Sequence, residues 1–312
     1  MADPLPALPP LHYLSAADVE RCLPGIDARL DLAAQALRAL AHGSAEMPPK
    51  IGVHPRPGAL LHAMPAWLRD GDLVGLKWIA SFPGNRATGL PAVTGLIVLN
   101  DAATGVPTWV MDAARITAVR TAAVSGVALR LFAPPDVKRV LLIGAGGVQG
   151  HVHREVVGAL LPEAEIITAG TTDEARAAAG QAQVVITMAP IGAAKQVLTP
   201  DWLADGTLTI SIDFSTYSSA ALAREVGTFV VDDRTQFVAY RDGGHFDGYP
   251  DPSATLGEVL DAQAAGQPIE PTGSHRLPAL VNHLGVGLAD VIFADAITRR
   301  AHELGAGQVL TR

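Results

Sequence analysis

Several places in the chain hold residues whose type and setting could do chemistry. Lys138–His153 reads KRVLLIGAGGVQGHVH: the apolar run Val140–Ile143 opens into Gly144, Gly146, Gly147 and Gly150, then a helix-compatible segment. Glycine lets backbone approach a pyrophosphate, and a helix N-terminus offers free N–H groups. Strand, tight turn and helix together therefore predict a dinucleotide-binding βαβ start. Asp213 follows the run Leu208–Ile212. An acid beyond the carboxyl end of a buried strand faces the ligand crevice of an open α/β sheet, where desolvation raises its pKa toward acid–base use. Lys77 stands inside VGLKWIA (74–80), and Lys50 follows Met47-Pro48-Pro49. A lysine in apolar surroundings must reach solvent, snorkel or meet an anion. Arg120 and Thr121 fall midway along ITAVRTAAVSGVAL, where an arginine either faces solvent or grips a carboxylate or phosphate bidentately. Each also has a plain structural reading: the glycines a left-handed turn, Asp213 a cap, Lys77 an exposed edge-strand residue.

The elements that must position these residues change grammar along the chain. Ser15-Ala-Ala-Asp18 resembles a capping box before a short helix, and a second helix is predicted over 26–41. Short apolar or alternating runs at 59–65, 73–81, 93–99 and 108–111, separated by Gly, Pro, Asn and Asp, predict an antiparallel or mixed sheet. A helix over 116–132 stops at Pro134-Pro135. Strand and helix then alternate: strands at 139–143, 165–169, 183–188, 208–212 and 228–231, with helices at 148–160 and 172–180. That alternation argues a parallel, doubly wound sheet. A last helix, 284–304, follows a turn-rich segment. The expected fold is α/β: a trimmed Rossmann-like domain over 126–283, and a mixed α/β domain over 1–125 with 284–312.

Composition narrows the function classes. The 312 residues are 49% hydrophobic and 17% charged with net charge −8, which gives no general attraction to nucleic acid. No apolar run reaches membrane-span length. The start, MADPLPALPPLHY, reads as a Pro-rich lead-in rather than a secretory signal. One cysteine, Cys22, excludes a disulfide framework and reads as packing. His151 and His153, two apart on a helix, do not share a face, and no metal pattern exists. A cytoplasmic, small-molecule protein is the expectation.

Longer blocks carry a resemblance. MPPKIGVHPRP (47–57), HAMPAWL (62–68), GLKWIASFPGN (75–85), GLPAVTGLIVLNDAATGVP (89–107), ITAVRTAAVSGVAL (116–129), IGAGGVQG (143–150), LTPDWL (198–203) and HLGVGLAD (283–290) are similar, in order, to the ornithine cyclodeaminase/mu-crystallin family. The resemblance implies an NAD(P)-dependent enzyme acting at the C–N bond of an α-amino acid or imine, as cyclodeaminase, imine reductase or alanine dehydrogenase, and a homodimer. It implies Asp213 and Lys77 as catalytic residues, with Lys50, Lys77, Arg120 and Leu284 on the substrate. Lys50 takes the place of a carboxylate-binding arginine. The cofactor would be held by Thr94, Arg120, Thr121, Gly144, Gly146, Gly147, Val148, Gln149, Gly150, Thr171 and Ala189. The alternative within the resemblance is a mu-crystallin-like binding protein without turnover.

Three departures stand out. The loop GAGGVQG carries one extra glycine. Gly170, Thr171 and Thr172 stand where an acid would bind the adenosine ribose, and Arg176 is a turn further on, so NADP is slightly favoured over NAD. Only about eleven residues separate Thr171 from the next strand, too few for the usual helix, strand and helix. In addition, SIDFSTYSS lacks the glycine and lysine common after the acid, with Tyr217 near the lysine's place.

Overall fold

The computed structural model describes residues 8–190, 195–267, 269 and 273–312, leaving aside the side chains of Ser274 and His275. The chain opens with β1 (Leu11–Leu14), α1 (Ala16–Cys22), α2 (Ile26–Ala41), β2 (Ala45–Glu46) and β3 (Ile51–Val53). Next come β4 (Leu60–Leu68), β5 (Leu73–Ser81), β6 (Val93–Asn100), β7 (Pro107–Asp112) and α3 (Ala114–Phe132). The alternating part runs β8 (Arg139–Ile143), α4 (Val148–Leu160), β9 (Glu165–Ala169), α5 (Thr172–Ala179), β10 (Val184–Thr187) and β11 (Leu208–Ser211). It continues α6 (Ala220–Glu225), β12 (Val226–Val231), α7 (Arg234–Asp242), β13 (Ala254–Thr255), α8 (Leu256–Ala264) and β14 (Ser274–Asn282), then ends with α9 (Gly287–Leu304) and β15 (Gln308–Leu310). No helix among the described residues is long and apolar enough to cross a membrane.

These elements form two compact units, one of 1–25, 43–117 and 287–312, the other of 26–42 and 118–286. The division differs from the sequence-based bounds in giving α2, 118–125 and 284–286 to the second unit. Packing is the reason: Leu30 of α2 lies against Gly126, and the Leu37 backbone against Gly257 of α8.

The first unit is an eight-stranded mixed sheet, ordered β15-β1-β7-β6-β5-β4-β2 with β3 paired to β4. Only β1–β7 is parallel among its pairs. The Pro-rich lead-in thus contains a strand: Leu11–Leu14 is too short and too close to prolines to show a period. The capping box of α1 is present, with Ser15 Oγ accepting from Asp18 N–H (3.2 Å) and Asp18 Oδ2 from Ser15 N–H (3.1 Å). Side chains alternate along a strand. Lys77 therefore shares a face with Met64 and Ile97, its register partners, and α9 packs across β4, β5 and β6. Ile51, Ala63, Trp78 and Leu96 stand side by side in register. Of these, Ile51 (70%), Trp78 (41%) and Leu96 (43%) are exposed, an apolar stripe.

The second unit is a seven-stranded parallel sheet, ordered β13-β12-β14-β11-β10-β8-β9. Strands β10, β11 and β12 are buried at every residue and β8 at all but Arg139, as parallel strands covered on both faces must be. Among the described residues no strand lies outside β9, so the shortened stretch after Thr171 leaves β9 at the sheet edge. The turn-rich reading before the last helix is corrected: β14 lies there, next to β11. Pro278 hides it, because a central strand has no place for a missing N–H. Its pairing with β12 skips from Val226↔Ser274 to Thr228↔Ala279, so Pro278 falls in the irregularity. Helix α9 begins three residues later than expected, because residues 283–286 form a non-helical turn in which Gly285 holds a φ of +87°.

Candidate active site

In the first unit the apolar setting of Lys77 resolves into an ion pair. Its side chain is 1% exposed, on an interior strand rather than an edge, and its Nζ lies 2.6 Å from Oδ2 of Asp290, itself fully buried. Asp290 stands in the first turn of α9, where the helix dipole favours an anion. Sequence reasoning missed Asp290, although an acid inside GLADVIFADA carries the same signal as a lysine inside VGLKWIA. It also missed His62. Burial, and then the charges of Lys50, His54 and Lys77, push His62 down to about 4. Lys50, half-buried just before β3, thus belongs to the same basic neighbourhood. Thr94 does not: it is exposed on β6 opposite Ala80.

In the second unit the carboxyl ends of β8, β10 and β11 converge. Asp213 is 1% exposed. Its Oδ1 accepts from Thr187 Oγ1–H (2.9 Å) and its Oδ2 from the Ala189 N–H (2.9 Å). Among the described residues no cation pairs with it, and burial pushes its pKa up to about 6 against those two hydrogen bonds. Phe214, next in the chain, holds a left-handed φ of 58° where a glycine would be unstrained, its ring edge-on to Tyr240 at 5.2 Å. Such conformations survive only where packing over-determines them. Tyr217 is buried in the same core.

Arg120 is buried on α3 beside Thr121 (8% exposed). Its guanidinium lies against Gly285, where a Cβ would come within 2.5 Å of Nη1 and the φ is +87°. Gly285 is held by two side chains: its N–H donates to Asp232 Oδ2 (2.6 Å) and its carbonyl accepts from Gln236 Nε2 (3.1 Å). Buried Leu284 precedes it. Behind them Ser125 Oγ sits 2.9 Å from both His153 Nε2 and His283 Nε2. His153 Nδ1 faces the Gln149 carbonyl (2.8 Å), which can only accept, so Nε2 accepts from Ser125. Burial pushes His153 down to about 4. This network, which motif reading did not find, ties α3 to the glycine-loop helix.

The loop itself is shaped for an anion. Gly144, at φ +78°, lets Ala189 approach: a Cβ there would meet the Ala189 backbone at 2.8 Å. Gly150 lies under the Ala145 carbonyl, leaving no room for any side chain. Gly146 and Gly147 face open space, and Gly147 caps α4 with no side-chain bond. Gln149 Oε1 is buried without a hydrogen-bond partner among the described residues, and Val148 is exposed. A helix start without a side-chain cap, under an open glycine turn, fits a pyrophosphate. Thr171, two residues past the end of β9, caps α5, its hydroxyl accepting from Glu174 N–H (3.3 Å).

The model of the ornithine cyclodeaminase/mu-crystallin family matches residues 12–179. The chain belongs to that family. It is 35% identical to the nodulation efficiency protein NfeD of Rhizobium meliloti, covering 97% of this chain and 99% of that protein. It is 28% identical to alanine dehydrogenase of Archaeoglobus fulgidus, covering 94% and 96%. The Δ1-pyrroline-2-carboxylate reductase of Thermococcus litoralis, solved with NADH and L-proline, shares the fold: TM-score 0.79 at 24% identity over 96% of this chain and 99% of that one. This member joins an open glycine loop, one glycine longer than the family pattern, to a sheet that among the described residues ends at its second strand.

Proposed function

We infer that this chain is an NAD(P)-dependent oxidoreductase acting on the C–N bond of an α-amino acid or its imine. The observation that carries the reading is Asp213: a buried carboxyl with neutral partners only, at the ends of strands whose glycine loop fits a pyrophosphate. The amino-acid and imine activities named for its relatives support it. Gly144, Gly146, Gly147, Val148, Gln149 and Gly150 would hold the pyrophosphate, with Ala189 and Thr121 beside the nicotinamide. When bound, the dinucleotide accepts a hydride from, or gives one to, the carbon bearing the substrate nitrogen.

The chain's own residues handle charge and protons. Lys77 and Lys50 would bind the substrate carboxylate, and the family resemblance gives Arg120 the same role; Lys50 offers a point charge where a guanidinium would offer a fork. Asp213 takes a proton from the amine nitrogen in the oxidative direction and returns one in the reductive direction, a role worth about 10²–10⁴ in rate. The exposed stripe Ile51, Trp78 and Leu96 is the face on which a second copy would dock, so the enzyme is read as a homodimer. Trp78→Glu should then shift the species seen by light scattering to half the wild-type mass.

The test of the reaction is a panel that follows reduced-nicotinamide absorbance. NAD+ and NADP+ are offered with alanine, ornithine and lysine, and NADH and NADPH with cyclic and acyclic α-imino acids. Turnover of one pair supports the reading. Silence throughout, with dinucleotide bound on titration, returns the binding-protein alternative, which the missing outer strand favours. Silence with no nucleotide bound removes the enzyme reading.

A further inference from the structure

A residue at the end of the second strand of a dinucleotide-binding sheet decides between a ribose 2′-hydroxyl and a 2′-phosphate. In this chain that position is Gly170, and the sequence alone leans toward NADP. The structure puts an acid there from another place. Gly144 N–H donates to the Ala169 carbonyl (2.9 Å), so the glycine loop and the end of β9 are direct neighbours. From the first turn of α5, Glu174 reaches back: its Oε2 accepts from Gly170 N–H (2.8 Å) and Thr171 N–H (3.1 Å). The same oxygen lies 3.7 Å from where a Gly170 Cβ would be.

We propose that Glu174 selects NAD over NADP, standing in for the acid absent from the end of β9. The proposal rests on the reading that the glycine loop holds a dinucleotide. A 2′-phosphate meets three obstacles. The backbone N–H groups of Gly170 and Thr171, which would cradle it, already serve Glu174. The carboxylate repels it, and the two N–H donors hold that carboxyl below its usual range, so it is ionised at neutral pH. Arg176, the cation a turn further on, has its guanidinium over the Trp202 ring, 5.5 Å from the centroid. A 2′-hydroxyl meets none of these, since a carboxylate with one oxygen engaged still has acceptor sites for a ribose. With β9 at the sheet edge, no further strand among the described residues places another side chain beyond it.

Glu174 also completes the capping box of α5 with Thr171, and that alone could account for its position. Glu174→Gln separates the two roles, because glutamine serves as the third residue of a capping box without carrying charge. NADH and NADPH are titrated into the full-length protein by nicotinamide fluorescence, and urea midpoints are recorded alongside. The wild type should bind NADH at least about tenfold more tightly than NADPH, and Glu174→Gln should bring the two within about threefold with little change in midpoint. Arg176→Ala, which leaves the capping box whole, should leave the NADH-to-NADPH ratio unchanged. A wild type that binds both alike or prefers NADPH overturns the proposal. So does an unaltered ratio in Glu174→Gln, or a selective loss of NADPH binding in Arg176→Ala. A wild type that binds neither nucleotide overturns the dinucleotide reading itself.

Discussion

The two units each bury a carboxylate, and they treat it in opposite ways. Asp290 of the first unit has a counter-ion, the Lys77 ammonium at 2.6 Å. Asp213 of the second has, among the described residues, only neutral donors, a hydroxyl and backbone N–H groups, and burial raises its pKa to about 6. The first arrangement suits a fixed cation, held in place for an anionic ligand. The second suits a group that changes its charge near neutral pH. Burial alone does not mark a catalytic acid; the identity of its partners does.

The largest expected break in that contrast is in turnover. Asp213→Asn should lower kcat by at least about a hundredfold while dinucleotide affinity, read by fluorescence titration, stays near wild type. Stability comes next. Lys77→Met leaves Asp290 buried without its ammonium, and should cost about 3–5 kcal/mol in urea denaturation. Adding Asp290→Leu should recover most of that stability, because a buried pair replaced by apolar residues is often neutral, yet activity should not return. Recovered activity would remove Lys77 from the chemistry.

A third effect follows from linkage. Between the unfolded value of 3.8 and the folded value of about 6, native Asp213 keeps a proton that the unfolded chain has lost. Its contribution is therefore complete below pH 3.8 and is lost as pH rises through about 6. Relative to the wild type, Asp213→Asn should gain on the order of 3 kcal/mol in stability between acid and neutral pH, since the histidines contribute equally to both proteins. The smallest effect belongs to Thr187→Val. Removing a donor that lowers the Asp213 pKa should move the acid–base limb of kcat/KM upward by less than about one pH unit.

How much of this the sequence held depends on whether a residue's partner lies nearby in the chain. The βαβ start was fully legible, since Arg139–Ile143, the glycine loop and Val148–Leu160 are contiguous and periodic. Asp213 and Lys77 stood out as charges in apolar runs. Their partners did not: Asp290 and Thr187 meet them only through the fold. β14 stayed hidden because Pro278 and the polar start of the strand contradict its central place. Glu174, four residues on, folds back over Gly170, a contact that the sequence does not show.

The central claim is that Asp213 handles the proton of a C–N oxidation or reduction. The pH profile of kcat/KM for the productive substrate and dinucleotide tests it most directly. The account predicts a limb at about pH 6 in the wild type that Asp213→Asn abolishes, falling on the acid side if deamination is measured and on the alkaline side if imine reduction is measured. A profile flat through pH 6, or a limb that persists unchanged in Asp213→Asn, would contradict it.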